Sequence, residues 1–130
     1  MTLHSELPIY KVAYDLCDYA VDLVRNMPRD FKGVIGGELR DQCLNIVVLI
    51  YRANVAREKV PHLTDLIERL QVAELLLRLS RDKRFISTSQ YARAIALTGA
   101  IGKQAGGWRK ASRRGFATDR AFTKTYRRAV

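Results

Sequence analysis

The residues of this 130-residue chain that are best equipped for chemistry are its lysines and arginines, and they are distributed unevenly. Residues 1–60 contain eight Lys/Arg and eight Asp/Glu, whereas residues 61–130 contain fifteen Lys/Arg and five Asp/Glu, so the whole net charge of +10 lies in the second half. Residues 108–130 alone hold eight basic residues and one acid, Asp119. This asymmetry predicts a polyanionic partner, either a nucleic acid or an anionic membrane surface.

The cations fall into two groups along the second half. Four surround the end of the third predicted helix, where the helix dipole also favours cations, so part of this cluster has a structural explanation. On the next helix, Lys103 and Lys110 are seven residues apart and project similarly, while Arg93 projects elsewhere. Several phosphate contacts give strong, salt-dependent binding with little base specificity. The predicted nucleic-acid-binding residues are Arg78, Arg81, Lys83, Arg84, Arg93, Lys103, Arg109, Lys110, Arg113 and Arg114.

Catalytic constellations are not recognisable in the sequence. His4 and His62 have no neighbouring Cys, Asp or Ser arrangement typical of a catalytic centre. The HExxH, CxxC, GxSxG, phosphate-loop and Rossmann motifs are absent. Asp15, Asp18 and Asp22 share one face of the first predicted helix, but such a face lacks the enclosing ligands of a metal site. We therefore expect no enzymatic activity, no catalytic residue, no metal and no cofactor.

The cysteines and the apolar runs indicate the compartment. Cys17 and Cys43 lie inside apolar helical patterns, so we expect two free core thiols in a reducing compartment. The longest apolar run, Ile46–Tyr51, is far shorter than the roughly 18 residues that span a bilayer. The N-terminus does not resemble a signal peptide. These features predict a cytoplasmic protein with no membrane partner.

The elements that position the cations are four segments with apolar residues at three- and four-residue spacing. They predict helices at about Pro8–Met27, Glu38–Glu58, Pro61–Ser80 and Thr88–Gly107. Because short connections make sequential helices antiparallel neighbours, the predicted fold is all-α: an antiparallel up-down-up-down four-helix bundle over residues 1–110. Residues 111–130 are basic and poor in apolar surface, which predicts a flexible tail that is disordered or conditionally helical.

Local signals give further expectations. The proline and glycines of Pro28–Gly37 are expected to break the helix, and Ser87 with Gln90 predicts a capping box. The glycines around Gly102 predict the close approach of a neighbouring backbone. The second and third helices are apolar over a wide arc, which predicts burial on two sides, inside the bundle or between subunits. Trp108 is expected to cover the bundle end, with stacking on a nucleobase as the alternative.

A set of short motifs, in order along about residues 5–110, resembles a known family. The motifs are Ser5-Glu6-Leu7-Pro8-Ile9-Tyr10, Tyr14-Asp15, Pro28-Arg29-Asp30, Gly36, Arg52-Ala53-Asn54, Leu75–Leu79, Arg81-Asp82-Lys83 and Ile101–Trp108. Together they resemble the accessory variability determinant (Avd) proteins of diversity-generating retroelements. These belong to a wider four-helix-bundle group that includes proteins encoded in ribosomal RNA intervening sequences.

The resemblance implies a function. It implies a non-catalytic, basic subunit that assembles as a homopentameric barrel and binds the retroelement reverse transcriptase. It also implies binding to the template RNA or the cDNA during mutagenic retrohoming, with the preference between RNA and DNA left open. The alternative is a four-helix-bundle scaffold of the ribosomal intervening-sequence type, which docks a protein partner and uses its charge for solubility or for an acidic partner.

Overall fold

Four long helices form the part of the chain that the structure describes. The structure is a computed structural model that describes the backbone of residues 3–129 and the side chains of residues 3–115. The long helices are α1 (Pro8–Arg25), α2 (Gly37–Val55), α3 (Val60–Asp82) and α4 (Thr88–Ala129). A 3-10 turn, His4–Glu6, precedes α1; a helical turn, Arg29–Phe31, and a π-helical turn, Lys32–Gly36, connect α1 to α2. The described residues contain no strand, so the predicted all-helical fold is confirmed.

The four helices pack as a bundle around one core. The main contacts join α1 to α2 and α4, and α3 to α2 and α4, so each helix has two neighbours. Every helix contributes aliphatic side chains that are almost fully buried, each worth about 1.5–3 kcal/mol of apolar burial. The largest of these buried aliphatic side chains belong to Leu16, Val24, Leu39, Ile46, Ile50, Leu63, Leu66, Leu77 and Ile101. No described helix is both long enough and apolar enough to cross a membrane.

The predicted helix starts are confirmed where a local signal marks them. Pro8 occupies the first turn of α1, where its missing N–H costs no hydrogen bond. The capping box before α4 is formed as expected. The Ser87 N–H donates to Gln90 Oε1 at 2.8 Å, and the Gln90 N–H donates to Ser87 Oγ at 3.0 Å. The starts of α2 and α3 and the ends of α1, α2 and α3 lie within a few residues of the predicted positions.

The predicted end of the last helix was wrong, because α4 continues past Gly107 to Ala129. Glycines in a helix cost about 1 kcal/mol each but do not forbid helical backbone, and no proline follows them. Trp108, half-buried against the core, anchors the helix just beyond this point, as expected for a residue that covers the bundle end. The division into a bundle and a flexible tail at residue 110 stays a prediction, and side chains 116–130 lie outside the described residues.

The first connection was also predicted wrongly, because its glycines do not break the helix. Gly36 and Gly37 have helical φ angles of −65° and −61°. Gly36 is needed for space instead: a Cβ there would lie 2.6 Å from Val24 Cγ1. The expected close approach at the glycines of α4 is not found within the chain. A Cβ on Gly102 would make an ordinary contact at 3.9 Å with Leu70, and one on Gly106 would meet nothing within 4 Å.

Substitution Gly36→Ala is therefore expected to lower the free energy of unfolding by about 1–3 kcal/mol, the usual cost of overpacking a core. Val24 is buried and β-branched, so it cannot rotate away from the new methyl group. Urea denaturation measures the change. Gly99→Ala is the matched control, since open space surrounds Gly99 and alanine is expected to stabilise its helix by about 0.5–1 kcal/mol. Equal effects at both positions would contradict this account.

Candidate nucleic-acid interface

The connection between α1 and α2 meets the turn between α3 and α4 at one end of the bundle. The Phe31 and Phe85 rings stack there, with centroids 4.5 Å apart and planes 25° from parallel. We call this surface, formed by residues 26–36 and 78–90, the turn end. Phe31 keeps 43% of its surface exposed, and its neighbour Val34 is 74% exposed. The turn end thus presents aromatic and apolar surface that the bundle does not cover.

The turn between α3 and α4 is held rigidly by Ser80, which is fully buried. The Ser80 carbonyl accepts hydrogen bonds from the N–H groups of Phe85 at 2.8 Å and Ile86 at 3.4 Å. Its hydroxyl donates to the Leu76 carbonyl at 2.7 Å. Ile86 is buried directly after the turn, while Arg84 adopts a left-handed φ of 62°. This conformation is strained for a non-glycine residue, so the surrounding contacts must impose it.

Arg81 is the best-fixed cation of the turn end. Its guanidinium lies 4.3 Å from the centroid of the Tyr91 ring. Its Nη2 also lies 3.0 Å from Asp82 Oδ1, which neutralises part of its charge. Arg78, Lys83 and Arg84 are exposed, and none of them forms an ion pair with another residue in the described part of the chain. These three side chains therefore present charge to solvent.

Arg93 lies beside the turn end and not in it. Its guanidinium is 4.8 Å from the centroid of the Tyr19 ring, on α1. The Tyr19 hydroxyl in turn donates a 3.4 Å hydrogen bond to the Gln90 carbonyl, which ties α1 to the first turn of α4. The Tyr19 ring therefore has two effects. It holds the Arg93 charge in place, and it stabilises the packing of α1 against α4.

The other predicted cations are far from the turn end. Between Thr88 and Lys110 the helix rises by about 33 Å, at about 1.5 Å per residue. The structure therefore separates the ten predicted residues into a group just before α4 and a group near the middle of α4, with Arg93 and Lys103 between them. The second group, which we call the distal group, comprises Arg109, Lys110, Arg113 and Arg114. Arg109 is half-buried and the rest are exposed.

Two cations of the turn end, Arg29 and Lys32, are missing from the sequence prediction. They flank Phe31, and its stacking on Phe85 brings them to the same end as Lys83. A charge tally over residues 1–60 hides them because that half sums to zero. The signal in the sequence was Phe31, an aromatic residue that lies between these two basic residues in the connection from α1 to α2. With them, the turn end carries six Lys/Arg and two Asp, a net charge of +4.

An open groove of about 640 Å³ runs beside the turn. Its polar lining includes Asn26 from the end of α1, Arg81 and Arg84 from the turn, and Ser87 and Gln90 from the start of α4. The capping box already satisfies two N–H groups at the start of α4. An anion in this groove would therefore be bound mainly by the arginine side chains and not by the helix N-terminus.

Both cysteines and His4 take part in packing. Both cysteines are free thiols, as predicted. Burial raises the pKa of Cys17 to about 11, and burial together with the Cys17 charge raises the pKa of Cys43 to about 12. Both thiols are thus protonated near neutral pH. His4 packs edge-on against Tyr10 and Tyr51 at ring distances of 5.3 and 5.1 Å. The described residues include no group of three or more His, Cys, Asp or Glu that could hold a metal.

The fold and this surface define a class: a small, basic, helical-bundle protein with a cationic and aromatic end. The particular family follows from comparison with known proteins. A family model described as bAvd-like matches residues 7–112, which is most of the chain. The chain belongs to this bAvd-like family, and the resemblance to the Avd proteins is confirmed. No curated protein matches the chain.

Proposed function

We propose that this chain is a non-catalytic, nucleic-acid-binding accessory protein of a diversity-generating retroelement. In this role it associates with the retroelement reverse transcriptase and with its template RNA or cDNA during mutagenic retrohoming. The observation that carries the proposal is membership of the bAvd-like family over residues 7–112. The net charge of +10, all of it in the second half of the chain, supports a polyanionic partner.

The absence of a catalytic role is part of the proposal. Its support is that Cys43 is buried with a pKa of about 12 and that His4 packs edge-on against two tyrosine rings. A general base needs a pKa near the working pH and access to a substrate proton. A protein that contributes charge and shape, while the reverse transcriptase carries the chemistry, needs neither.

We also propose the antiparallel up-down-up-down arrangement of the bundle. Contacts between helix ends support it. His4, before α1, packs on Tyr51 near the end of α2, and Gly36, before α2, approaches Val24 near the end of α1. Arg81 near the end of α3 meets Tyr91 in the first turn of α4. This arrangement brings the α1–α2 connection and the α3–α4 turn to one end, and so assembles the turn end.

The proposed assembly is a homo-oligomer, a pentamer by analogy with the family. Exposed apolar residues on two sides of the subunit support it. One set lies on α1 and α2 and comprises Tyr14, Val21, Leu44, Tyr51 and Val55; the other lies on α3 and comprises Leu75 and Leu79. Two different apolar surfaces that contact one another head to tail generate a ring when the rotation closes.

The same exposed apolar residues favour a second candidate function. A bundle scaffold of the ribosomal intervening-sequence type would use them to dock a protein partner. In that case the cations would serve solubility or an acidic partner instead of a nucleic acid.

Nucleic-acid binding is expected to weaken steeply with salt. Fluorescence anisotropy with a structured RNA, and with cDNA of the same sequence, measures the affinity at rising salt. Each phosphate contact contributes about 0.7–0.9 to the slope of log affinity against log salt. Lys83→Gln with Arg84→Gln is expected to reduce this slope by at least one such contact. Arg57→Gln, which removes an exposed charge of the neutral half, is the control. An affinity that does not change with salt would contradict the proposal.

Substitution Leu75→Glu is expected to dissociate the oligomer, because it places a charge on one of the two apolar surfaces. Sedimentation velocity reports the assembly, which for the unaltered chain should exceed the 14.8 kDa monomer severalfold. Ala96→Glu adds a charge at an exposed site on α4, outside both apolar surfaces, and should leave the assembly intact. A monomeric unaltered chain would refute the assembly.

Co-purification separates the two candidate functions. The chain is expressed with its reverse transcriptase and template RNA, and the complex is isolated with and without RNase. The accessory function predicts that RNase removes RNA from the complex and weakens retention of the enzyme. A scaffold predicts that its protein partner is retained unchanged and that RNA never co-purifies.

A further inference from the structure

The turn end has features that general phosphate binding does not require. A surface that only neutralises phosphates needs exposed cations, but here the exposed Phe31 ring also stacks on Phe85, which packs against the core. Exposed phenylalanine has no hydrogen-bonding group and gains nothing from water, so 43% exposure of Phe31 leaves apolar ring surface without a partner. This uncovered ring, surrounded by basic residues, is the observation from which the inference starts.

The two rings form a preorganised platform. Phe85 is fixed by the hydrogen bond from its N–H to the Ser80 carbonyl, and Ile86 beside it is buried. Phe31 is fixed by its own N–H, which donates to the Pro28 carbonyl at 3.0 Å. Each ring uses one face against the other. A third flat ring can extend the stack on the exposed part of Phe31 without reordering either backbone, so little conformational entropy is lost.

The charges around the platform select the kind of flat ring. Arg29 and Lys32 lie on either side of Phe31 in sequence, while Lys83 and Arg84 immediately precede Phe85. Arg29, Lys83 and Arg84 are exposed and form no ion pair with other described residues. A ligand that carries both a flat ring and a nearby anion matches this arrangement. A nucleotide has both, and an unpaired nucleotide exposes the ring face that stacking covers in the interior of a duplex.

We propose that the turn end holds an unpaired nucleotide of a single strand. Its base extends the stack of Phe31 on Phe85, and its phosphates lie against Arg29, Lys83 and Arg84. The site presupposes the nucleic-acid binding proposed above and names its ligand class: single-stranded segments, loops or ends of RNA or DNA, in preference to duplex. Stacking does not read the 2′-hydroxyl, so RNA and DNA strands bind comparably.

The experiment compares single strand with duplex in the full chain. Anisotropy measures binding of short oligouridylate, oligothymidylate and a duplex of equal length. Phe31→Leu keeps the apolar volume but removes the ring, and is expected to weaken both single strands about fivefold or more while duplex binding changes less than twofold. Phe31→Tyr retains the ring and should bind both single strands as tightly as the unaltered chain does. Since stacking involves no ion release, the salt slope of Phe31→Leu should equal that of the unaltered chain.

A second readout keeps the test independent of folding effects. Phe31→Trp in a Trp108→Phe background has one indole, located in the platform. Its fluorescence is expected to be quenched by the oligouridylate and not by the duplex. Thermal unfolding monitors the stability of each variant.

The outcomes separate failure of the site from failure of the function. If the unaltered chain binds no nucleic acid, the proposed function fails and the site with it. If it binds with a salt-dependent affinity but Phe31→Leu has no effect, or weakens duplex equally, the stacking site alone is overturned. Unchanged oligonucleotide binding with loss of the reverse transcriptase would likewise overturn it and assign the rings to a protein partner.

Discussion

The close approach of Gly36 to Val24 is the constraint on which the turn end depends. With no Cβ at Gly36, the start of α2 packs directly against the end of α1. The preceding π-helical turn, Lys32–Gly36, can then bend over the end of the bundle, and π-helical turns of this kind are often found at functional sites. In this position Phe31 stacks on Phe85. The absence of a Cβ at Gly36 thus links the packing of the core to the turn end, where basic residues from both halves of the chain lie.

The clustering of charge at the turn end has an electrostatic cost, because six basic residues and two acids lie at one end of a small bundle. Like charges held close together destabilise the compact state. Only Arg81 is compensated by an ion pair among the described cations of this end, and it is further stabilised by the Tyr91 ring. The hydrogen bonds to the Ser80 carbonyl hold the backbone of the α3–α4 turn, which carries Lys83 and Arg84, in place without neutralising their charge. Stability alone would favour fewer charges here, whereas a polyanionic partner would relieve the repulsion on binding.

The sequence predicted those features that depend on neighbours along the chain. The start of α1 at Pro8, the capping box of Ser87 with Gln90 and the apolar stripes all follow from local spacing, and the structure confirms them. The end of α4 was missed because glycines lower helix propensity without forbidding helical backbone, whereas the other misses depend on tertiary contact. The role of Gly36 could not be read without knowing that Val24 faces it, and Arg29 could not be assigned to the turn end before the two phenylalanines were seen to stack.

The separation of the cations along α4 constrains any account of binding. A helix converts 22 residues into about 33 Å, so the turn end and the distal group cannot both contact one compact cluster of phosphates. In one subunit, a polyanion that meets both must run along the bundle, over about one turn of a duplex. In a ring of subunits that all point the same way, the turn ends would form one rim and the distal groups the other. An aromatic platform at only one rim would then make the two rims unequal: one suited to unpaired bases, the other to phosphates alone.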